Sequence, residues 1–328
     1  MRLVQDIMDQ LIANRCGDLY VLPNKDGYQL LAMLPKRSAW QPIQQVDEAE
    51  GRRIITFFKY RANMAVSEHR RPQGGSCRWQ GQNEQLVDLR LSTIGDFLSR
   101  ESLVIRFIYH LGVQQYYLAF EEQWSELQQL TVQRGLLLFA GPMGSGKTTT
   151  MYRLAREQAR RHLVMTIEDP IEIREPTFLQ LQINRPAGMD YQALLKAGLR
   201  HHPDTFIIGE IRDEETAEMA VQAALSGHLV MATIHARSAS GVIARLRDLG
   251  IDQYYLEEAL TGVCYQRLLP LVGGRSAVLF EMLHGSPLNK QLTTTQFGGI
   301  SHDWQEKLST LQAHQQIRQQ TLRQFWEG

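Results

Sequence analysis

The chain has 328 residues, a length that at roughly 100 to 200 residues per domain predicts about two domains. Hydrophobic residues make up 43% and charged residues 21%, and the absence of any apolar tract of about 18 residues excludes a membrane-spanning helix. Lys plus Arg and Asp plus Glu both total 35, so no global field attracts nucleic acid, and we expect no direct nucleic-acid binding.

The N-terminal segment, residues 1–12, places apolar residues at helical spacing and interrupts them with Asp6 and Asp9. This pattern predicts an amphipathic helix rather than a signal peptide, which needs a continuous apolar region. The cysteines Cys16, Cys77 and Cys264 are far apart and form no CxxC pair, so we expect no disulfide framework and no zinc site. Together these features predict a cytoplasmic protein.

Residues 1–98 are expected to form a small α+β domain. Two runs, residues 28–34 and 54–58, alternate like strands, and residues 24–27 and 72–75 have the composition of turns. A linker over residues 99–104 is expected to follow.

Two further alternating runs lie before the next domain, and each carries an arginine, Arg90 and Arg106. An arginine placed beside a γ-phosphate stabilises the charge of a phosphoryl-transfer transition state. The spacing is equally compatible with surface salt bridges, so the residues alone leave both roles open.

Residues 105–284 alternate apolar strands with helical stretches, which predicts an α/β domain with a largely parallel sheet. A buried strand over residues 136–140 leads into a GxxxxGK[ST] loop and then into a helix over residues 149–161. Such a loop turns backbone N–H groups towards phosphate oxygens, and the helix N-terminus adds partial positive charge. The predicted nucleotide-binding residues are Gly141, Pro142, Met143, Gly144, Ser145, Gly146, Lys147, Thr148 and Thr149.

Within this loop, Lys147 is expected to contact the β- and γ-phosphates of ATP, and the Thr148 hydroxyl to ligate Mg²⁺. The alternative is a glycine-rich turn without a ligand. The strand, loop and helix order of the surrounding sequence favours the phosphate site.

Two later strands end in carboxylates, Glu168 and Glu210. Ligands of open α/β sheets lie outside the carboxyl ends of the strands, so both side chains are expected to face the nucleotide. We assign Glu168 to water activation and Glu210 to Mg²⁺ through water, although the two roles could be exchanged. Asp169 and Glu172 lie in the same segment as Glu168, where either could simply cap the next element.

The segment 227–236 is a third apolar strand with His228 and His235 at its ends. Seven residues separate them, so on a regular strand their rings point to opposite faces and cannot share one metal. They could sense the γ-phosphate, contact a neighbouring subunit or be structural. Residues 285–328 are expected to form a C-terminal helical extension.

Several motifs taken together resemble the traffic ATPases of type II secretion and type IV pili. They are, in chain order, VSEHRRPQGGS followed by LVDLRLST, then GPMGSGKTTT, TIEDPIE and FIIGEIRDEETAEMAVQAALSGHLVMATIHA. The match covers residues 17 to 283, and within the family the chain is most similar to the ATPase of the competence pseudopilus. It departs from many relatives in lacking paired CxxC motifs after residue 235.

The resemblance implies a RecA-like P-loop domain with a smaller, PAS-like N-terminal α+β domain, assembled as a homo-hexamer. It implies an ATP-hydrolysing motor at the inner face of the membrane, held there by a polytopic membrane platform protein. Extension, retraction and secretion are alternatives within the family, and a nucleotide-gated scaffold with little turnover is the alternative of another class. The resemblance further implies nucleotide-directed roles for Arg90, Arg106, His228 and His235.

Overall fold

The structure is a computed structural model that describes residues 2–34, 40–81, 86–109, 116–294 and 298–328. The chain divides into two compact units, Met1–Val113 and Gln114–Gly328. Within the described ranges, no helix has both the length and the apolarity needed to cross a membrane.

The first unit is an antiparallel sheet with helices packed on one face. Its strands follow the order β3-β2-β1-β6-β5-β4, and alternate residues of each strand enter its core. The elements are α1 (Arg2–Ala13), β1 (Asp18–Asn24), β2 (Gly27–Met33), β3 (Gln41–Val46), α2 (Glu48–Arg61), β4 (Gln73–Gln80), β5 (Leu86–Gly95) and β6 (Glu101–Ile108).

The strand predicted at residues 54–58 is wrong, because these residues lie in α2. The Asp47 side chain caps this helix by accepting a hydrogen bond from the backbone N–H of Glu50. Ile54, Ile55 and Phe58 are buried at helical spacing, so tertiary packing overrides the β propensity of the run. The turn predicted at 72–75 is also shorter than expected, since β4 begins at Gln73.

The predicted domain boundary differs from the structural one. Residues 99–104, expected as a linker, form part of a tight turn and the start of β6, which pairs with both β1 and β5. The Asp96 carboxylate closes the turn by accepting the backbone N–H of Arg100. β6 pairs with β1, whose residues lie more than 80 positions earlier in the chain. Its place in the sheet therefore depends on non-local pairing that sequence spacing does not reveal.

The second unit is built on an eight-stranded sheet in the order β10-β9-β11-β12-β8-β13-β14-β7. The neighbours from β10 to β13 are parallel, and β8, β9 and β12 are buried along their whole length, as expected for strands covered on both faces. The elements are β7 (Tyr117–Leu118), α3 (Glu121–Leu130), β8 (Gly135–Ala140), α4 (Lys147–Gln158), β9 (Val164–Glu168), β10 (Leu179–Gln182), α5 (Tyr191–Leu199), β11 (Thr205–Ile211), α6 (Glu214–Leu225), β12 (Leu229–Ile234), α7 (Ala239–Asp248), α8 (Gln253–Ala259), β13 (Leu260–Pro270) and β14 (Ser276–His284).

The C-terminal segment is helical and belongs to the second unit. It contains α9 (Gly285–Thr293), α10 (His302–Ala313) and α11 (Gln319–Gln324), whose apolar side chains join the core of that unit. Trp304 is fully buried, and its indole N–H donates to the carbonyl oxygen of Phe325 at 2.9 Å. The segment is therefore a structural part of the second unit rather than an appendage.

Replacing Trp304 by alanine tests this integration. The change leaves a large cavity and an unpaired carbonyl, so we expect the free energy of unfolding to fall by about 3 to 5 kcal/mol. Urea unfolding followed by circular dichroism measures it. Tyr254→Ala, at an aromatic side chain of the same unit that is 64% exposed, is the control and should cost less than about 1 kcal/mol. Equal losses in the two variants would contradict the assignment.

Candidate functional site

The parallel register brings four strand ends to one edge of the second sheet. Ile234 at the end of β12 pairs with Ala140 at the end of β8, and Ile208 of β11 is level with Ile167 of β9. The segments that follow β8, β9, β11 and β12 therefore share the carboxyl edge, where ligands of such sheets bind.

The loop between β8 and α4 has the backbone of a phosphate cradle. Gly141, Gly144 and Gly146 have φ angles of 139°, 77° and 87°, a region that side chains other than glycine rarely adopt. A Cβ on Gly141 would lie 2.4 Å from the carbonyl oxygen of Gln266. Gly146 is also the N-cap of α4, so the positive end of that helix faces the loop.

Gln266 braces the loop from the neighbouring strand. It is fully buried, and its Nε2 donates to the carbonyl oxygen of Ser145 at 2.7 Å. Sequence reasoning missed this residue, and the available signal was a lone amide within the apolar strand β13. The hydroxyl of Ser145 is buried and has no hydrogen-bond partner among the described residues, which fits a loop that donates to a phosphate oxygen.

Lys147 begins α4 and lies against the loop. Its Nζ donates to the carbonyl oxygens of Gly141 and Pro142 at 2.8 and 3.0 Å. Burial lowers the pKa of this ammonium, and the carboxylates of Glu210 and Glu172 act in the opposite direction. The cation therefore lies among loop carbonyls with two carboxylates close enough to influence it.

Of the other predicted loop residues, Met143 is at the exposed tip, 91% accessible, and Thr149 is in the first turn of α4. The Thr148 hydroxyl donates to Glu172 Oε2 at 3.0 Å. Glu172 is exposed and lies within the electrostatic reach of Lys147. From the sequence alone, Glu172 could simply have capped the next element. In the structure its carboxylate lies beside the hydroxyl of Thr148, the residue expected to bind Mg²⁺.

Glu210 sits beside a β-bulge at the end of β11. The register with β12 shifts between Ile208 and Ile211, and bulges of this kind re-aim side chains near functional sites. Glu210 Oε1 lies 2.8 Å from His235 Nε2, and Oε2 accepts a hydrogen bond from Arg212 Nε. The carboxylate is thus oriented from both sides, and His235, which follows the last residue of β12, lies at the carboxyl edge.

Glu168 is in a different environment. Its side chain is only 2% exposed and accepts a hydrogen bond from the Tyr152 hydroxyl of α4. Burial raises the pKa of Glu168 to about 7, and the hydrogen bond from the Tyr152 hydroxyl acts in the opposite direction. A carboxyl group with a pKa near neutrality suits a proton acceptor, and the water-activating role of Glu168 stays a prediction.

His228 lies at the wrong edge of the sheet for a role at the phosphates of its own subunit. Leu229, which follows it, pairs with Gly135 at the start of β8, so the strand separates His228 from the loop by six residues or about 20 Å. Its Nδ1 contacts the carbonyl oxygen of Pro203 at 2.8 Å. The odd number of residues between the two histidines indicated which face of the sheet each side chain is on. It did not indicate at which end of the strand, and so at which edge of the sheet, each one lies.

Arg90 and Arg106 belong to the first unit, where they form a directly opposite pair on β5 and β6. Arg106 Nε donates to Asp18 Oδ1 at 2.9 Å. Both arginines point away from the core. The nucleotide-directed role of the pair stays a prediction.

The donor set fits a magnesium triphosphate. A glycine cradle, a helix N-terminus and one lysine suit phosphate oxygens. A threonine hydroxyl beside the Glu172 carboxylate suits Mg²⁺, which prefers oxygen ligands and retains waters.

The type II/IV secretion system protein family matches residues 1–316. The chain is 44% identical to competence protein ComGA of Streptococcus pneumoniae, over 85% of this chain and 88% of that protein. It is 33% identical to ComGA of Bacillus subtilis, over 93% and 90%. It is 34% identical to type II secretion system protein E of Pectobacterium carotovorum, over 82% of this chain and 54% of that protein.

Two solved structures have the same fold. The pilus retraction motor PilT with bound ADP superposes with a TM-score of 0.73 at 21% identity, covering 97% of this chain and 95% of that one. The Legionella pneumophila ATPase DotB gives 0.72 at 18% identity, covering 98% and 95%. The predicted fold class, a RecA-like P-loop domain after a smaller α+β domain, is confirmed.

Gly141→Ala tests the cradle. The added Cβ would collide with the Gln266 carbonyl in a backbone region that alanine disfavours, so the loop must move. We expect the Kd for a fluorescent ATP analogue to rise at least tenfold, measured by fluorescence titration. Gly188→Ala carries a similar φ of 72° with no atom near its Cβ and should leave the Kd unchanged. An unchanged Kd for Gly141→Ala would exclude this loop as the binding site.

Proposed function

The chain belongs to the type II/IV secretion system protein family and is an ATPase, and on that premise we propose that it is a homo-hexameric motor that drives assembly of a type IV pilus-like competence pseudopilus for DNA uptake. The main support for this proposal is the arrangement at one edge of the sheet. There the glycine loop, Lys147 and Thr148 lie close to the carboxylates of Glu172 and Glu210.

The competence relatives support the choice of filament. Identity to the pneumococcal competence protein is 44%, against 34% to the Pectobacterium secretion protein and 21% to the retraction motor. Secretion, pilus extension and pilus retraction are the alternatives, since one motor architecture can serve different filaments.

In the proposed reaction, Lys147 exchanges its bonds to the loop carbonyls for bonds to the β- and γ-phosphate oxygens of ATP. The backbone N–H groups of the loop hold the remaining phosphate oxygens. Phosphoryl transfer depends mainly on such positioning and charge neutralisation, with little covalent chemistry by the protein. Mg²⁺, when bound, supplies further charge neutralisation at the phosphates.

The carboxylates divide the remaining work. Thr148 and, through water, Glu210 would hold the metal, and His235 and Arg212 orient the Glu210 carboxylate. Glu168 ends β9 at the same edge, and we propose that it activates the attacking water, since burial raises its pKa to about 7, a value that suits a proton acceptor. Arg90 and Arg106 are proposed to approach the nucleotide, and His228 to contact a neighbouring subunit.

We further propose that the ring lies at the cytoplasmic face of the membrane, bound to a polytopic platform protein. The competence and secretion relatives support this arrangement. A regulatory scaffold with little turnover is disfavoured by the complete set of phosphate-binding and acidic groups.

Lys147→Ala should abolish ATP turnover, since Lys147 is the only cationic side chain in the described loop of residues 141–148 that could contact the phosphates. Glu210→Gln should retain nucleotide but slow hydrolysis by at least a hundredfold. A steady-state phosphate-release assay and a nucleotide-retention assay measure these effects. Lys196→Ala, an exposed lysine on α5, is the control. Wild-type turnover in Lys147→Ala would remove the basis of the proposal.

Deleting the gene should abolish natural transformation in the source bacterium, because no pseudopilus would be assembled. A plasmid encoding the wild-type chain should restore transformation, and one encoding Lys147→Ala should not. Transformation frequency is the measurement. If the deletion strain transforms normally but loses protein secretion or twitching motility, the motor drives one of the alternative filaments.

A further inference from the structure

Gln266 is a fully buried amide of β13 that lies next to the glycine loop, residues 141–148. It follows Tyr265, which pairs with Ala140 at the end of β8, so it is level with the start of the loop. Its Nε2 donates to the carbonyl oxygen of Ser145 at 2.7 Å. A side chain of β13 thus binds the backbone in the second half of the loop.

This amide is unfavourable for the stability of β13. The Gln266 Oε1 atom is buried and has no hydrogen-bond partner among the residues that the structure describes. A buried acceptor without a partner destabilises a protein, and an apolar side chain of similar length would avoid that penalty. The presence of the amide is therefore better explained by its donor, which binds the loop, than by packing within the sheet.

The strand that carries Gln266 is held on its other face. Tyr265 and Arg267 flank Gln266 and point to the opposite side of the strand. The rings of Tyr265 and Trp304 pack edge to face with their centroids 5.8 Å apart, and the Arg267 guanidinium lies 4.7 Å from the centre of the Phe325 ring. The C-terminal helical segment therefore immobilises β13, and Gln266 gives the loop a fixed point of attachment.

The bond from Gln266 is compatible with a bound nucleotide. Lys147 Nζ also holds the loop, through the carbonyl oxygens of Gly141 and Pro142, but it leaves them in the proposed reaction to contact the phosphates. Gln266 binds a loop carbonyl, whereas phosphate oxygens bind loop N–H groups, so the two contacts do not compete. The Ser145 hydroxyl, buried without a partner among the described residues, is available to donate to a phosphate oxygen.

We infer that Gln266 is a positioning residue for nucleotide binding. Its amide fixes the Ser145 carbonyl and so keeps the loop N–H groups and the Ser145 hydroxyl in the phosphate-binding arrangement before the nucleotide arrives. Preorganisation of this kind raises affinity, because the free protein no longer has to order the loop when it binds. The inference rests on the proposed function, which places the di- or triphosphate in this loop.

Loss of the amide should affect binding more than catalysis. The bound ground state and the transition state both need the ordered loop, so the free energy of ordering is added equally to both. A loss of uniform binding raises KM and Kd and leaves kcat nearly unchanged. A variant that was only less stable would contain less active protein, which lowers the apparent kcat without changing Kd.

The test compares Gln266→Met with Gln123→Met in the full chain. Methionine has nearly the shape of glutamine but cannot donate a hydrogen bond. Gln123 is the matched control because it is also a buried glutamine of the second unit, and its Nε2 donates to a backbone carbonyl outside the loop, that of Phe280 at 2.6 Å. Titration with fluorescent ATP and ADP analogues gives Kd, steady-state phosphate release gives kcat and KM, and urea unfolding gives stability.

We expect Gln266→Met to raise the Kd for both nucleotides about fivefold to tenfold, the effect of one lost hydrogen bond. The value of kcat at saturating ATP should fall by no more than about threefold, since the loss is one of uniform binding. Gln123→Met should be less stable to urea but keep the wild-type Kd for both nucleotides. An unchanged Kd in Gln266→Met, or an equal rise in Gln123→Met, would overturn the inference.

Ser145→Ala provides a second measurement, because it removes the hydroxyl and keeps the carbonyl that Gln266 binds. If Gln266 positions this hydroxyl, the hydroxyl contributes less to binding once the amide is lost. The double variant Ser145→Ala with Gln266→Met should then have a smaller rise in Kd than the product of the two single effects, as for coupled residues. A rise equal to that product would contradict the positioning role.

If Gln266→Met does not fold, Gln266→Asn decides the question. Asparagine keeps the amide but is one methylene shorter, so it cannot reach the Ser145 carbonyl, and the Kd should rise several-fold. A wild-type Kd in this variant would overturn the inference. Hydrolysis by the wild-type chain that Lys147→Ala lacks shows that the proposed function holds, and failure of the Gln266 comparison in that setting concerns the inference alone.

Discussion

The site depends on the parallel pairing of β8 with β12 on one side and β13 on the other. This pairing fixes where β8 ends, and therefore where the glycine loop turns and α4 begins. It also brings Gln266 of β13 against the loop, where its amide holds Ser145 and its carbonyl leaves no space for a Cβ on Gly141. The loop is shaped by the sheet as much as by its own glycines.

The acidic residues of the site differ in environment rather than in type. Glu210 is oriented from both sides by His235 and Arg212, Glu172 is exposed beside Thr148, and Glu168 is buried under Tyr152. Three glutamates at one sheet edge can therefore take different parts in one reaction, because burial and hydrogen bonding set what each carboxyl group can do.

Sequence reasoning was strongest where the information is local. The strand, the glycine loop and the helix start are contiguous, so the positions of Lys147 and Thr148 followed from residues 136–161 alone. The contact of Gln266 with Ser145 depends on the order of the strands, and the contact of Tyr152 with Glu168 depends on helix packing. Neither can be read from a single sequence.

The errors have the same origin. The run 54–58 has β propensity but is helical because its neighbours bury it on one face. His228 was linked to the nucleotide by the family resemblance, whereas the strand register places it at the opposite end of β12 from the glycine loop.

The place of β6 between β1 and β5 has a practical consequence for anyone who divides this protein into fragments. A cut near residue 98, where composition suggests one, would remove the central strand and leave two neighbouring strands with bare backbone donors and acceptors. Unsatisfied edges of this kind recruit strands from other molecules. Insoluble aggregates from such a fragment would therefore reflect a broken sheet rather than an unstable domain.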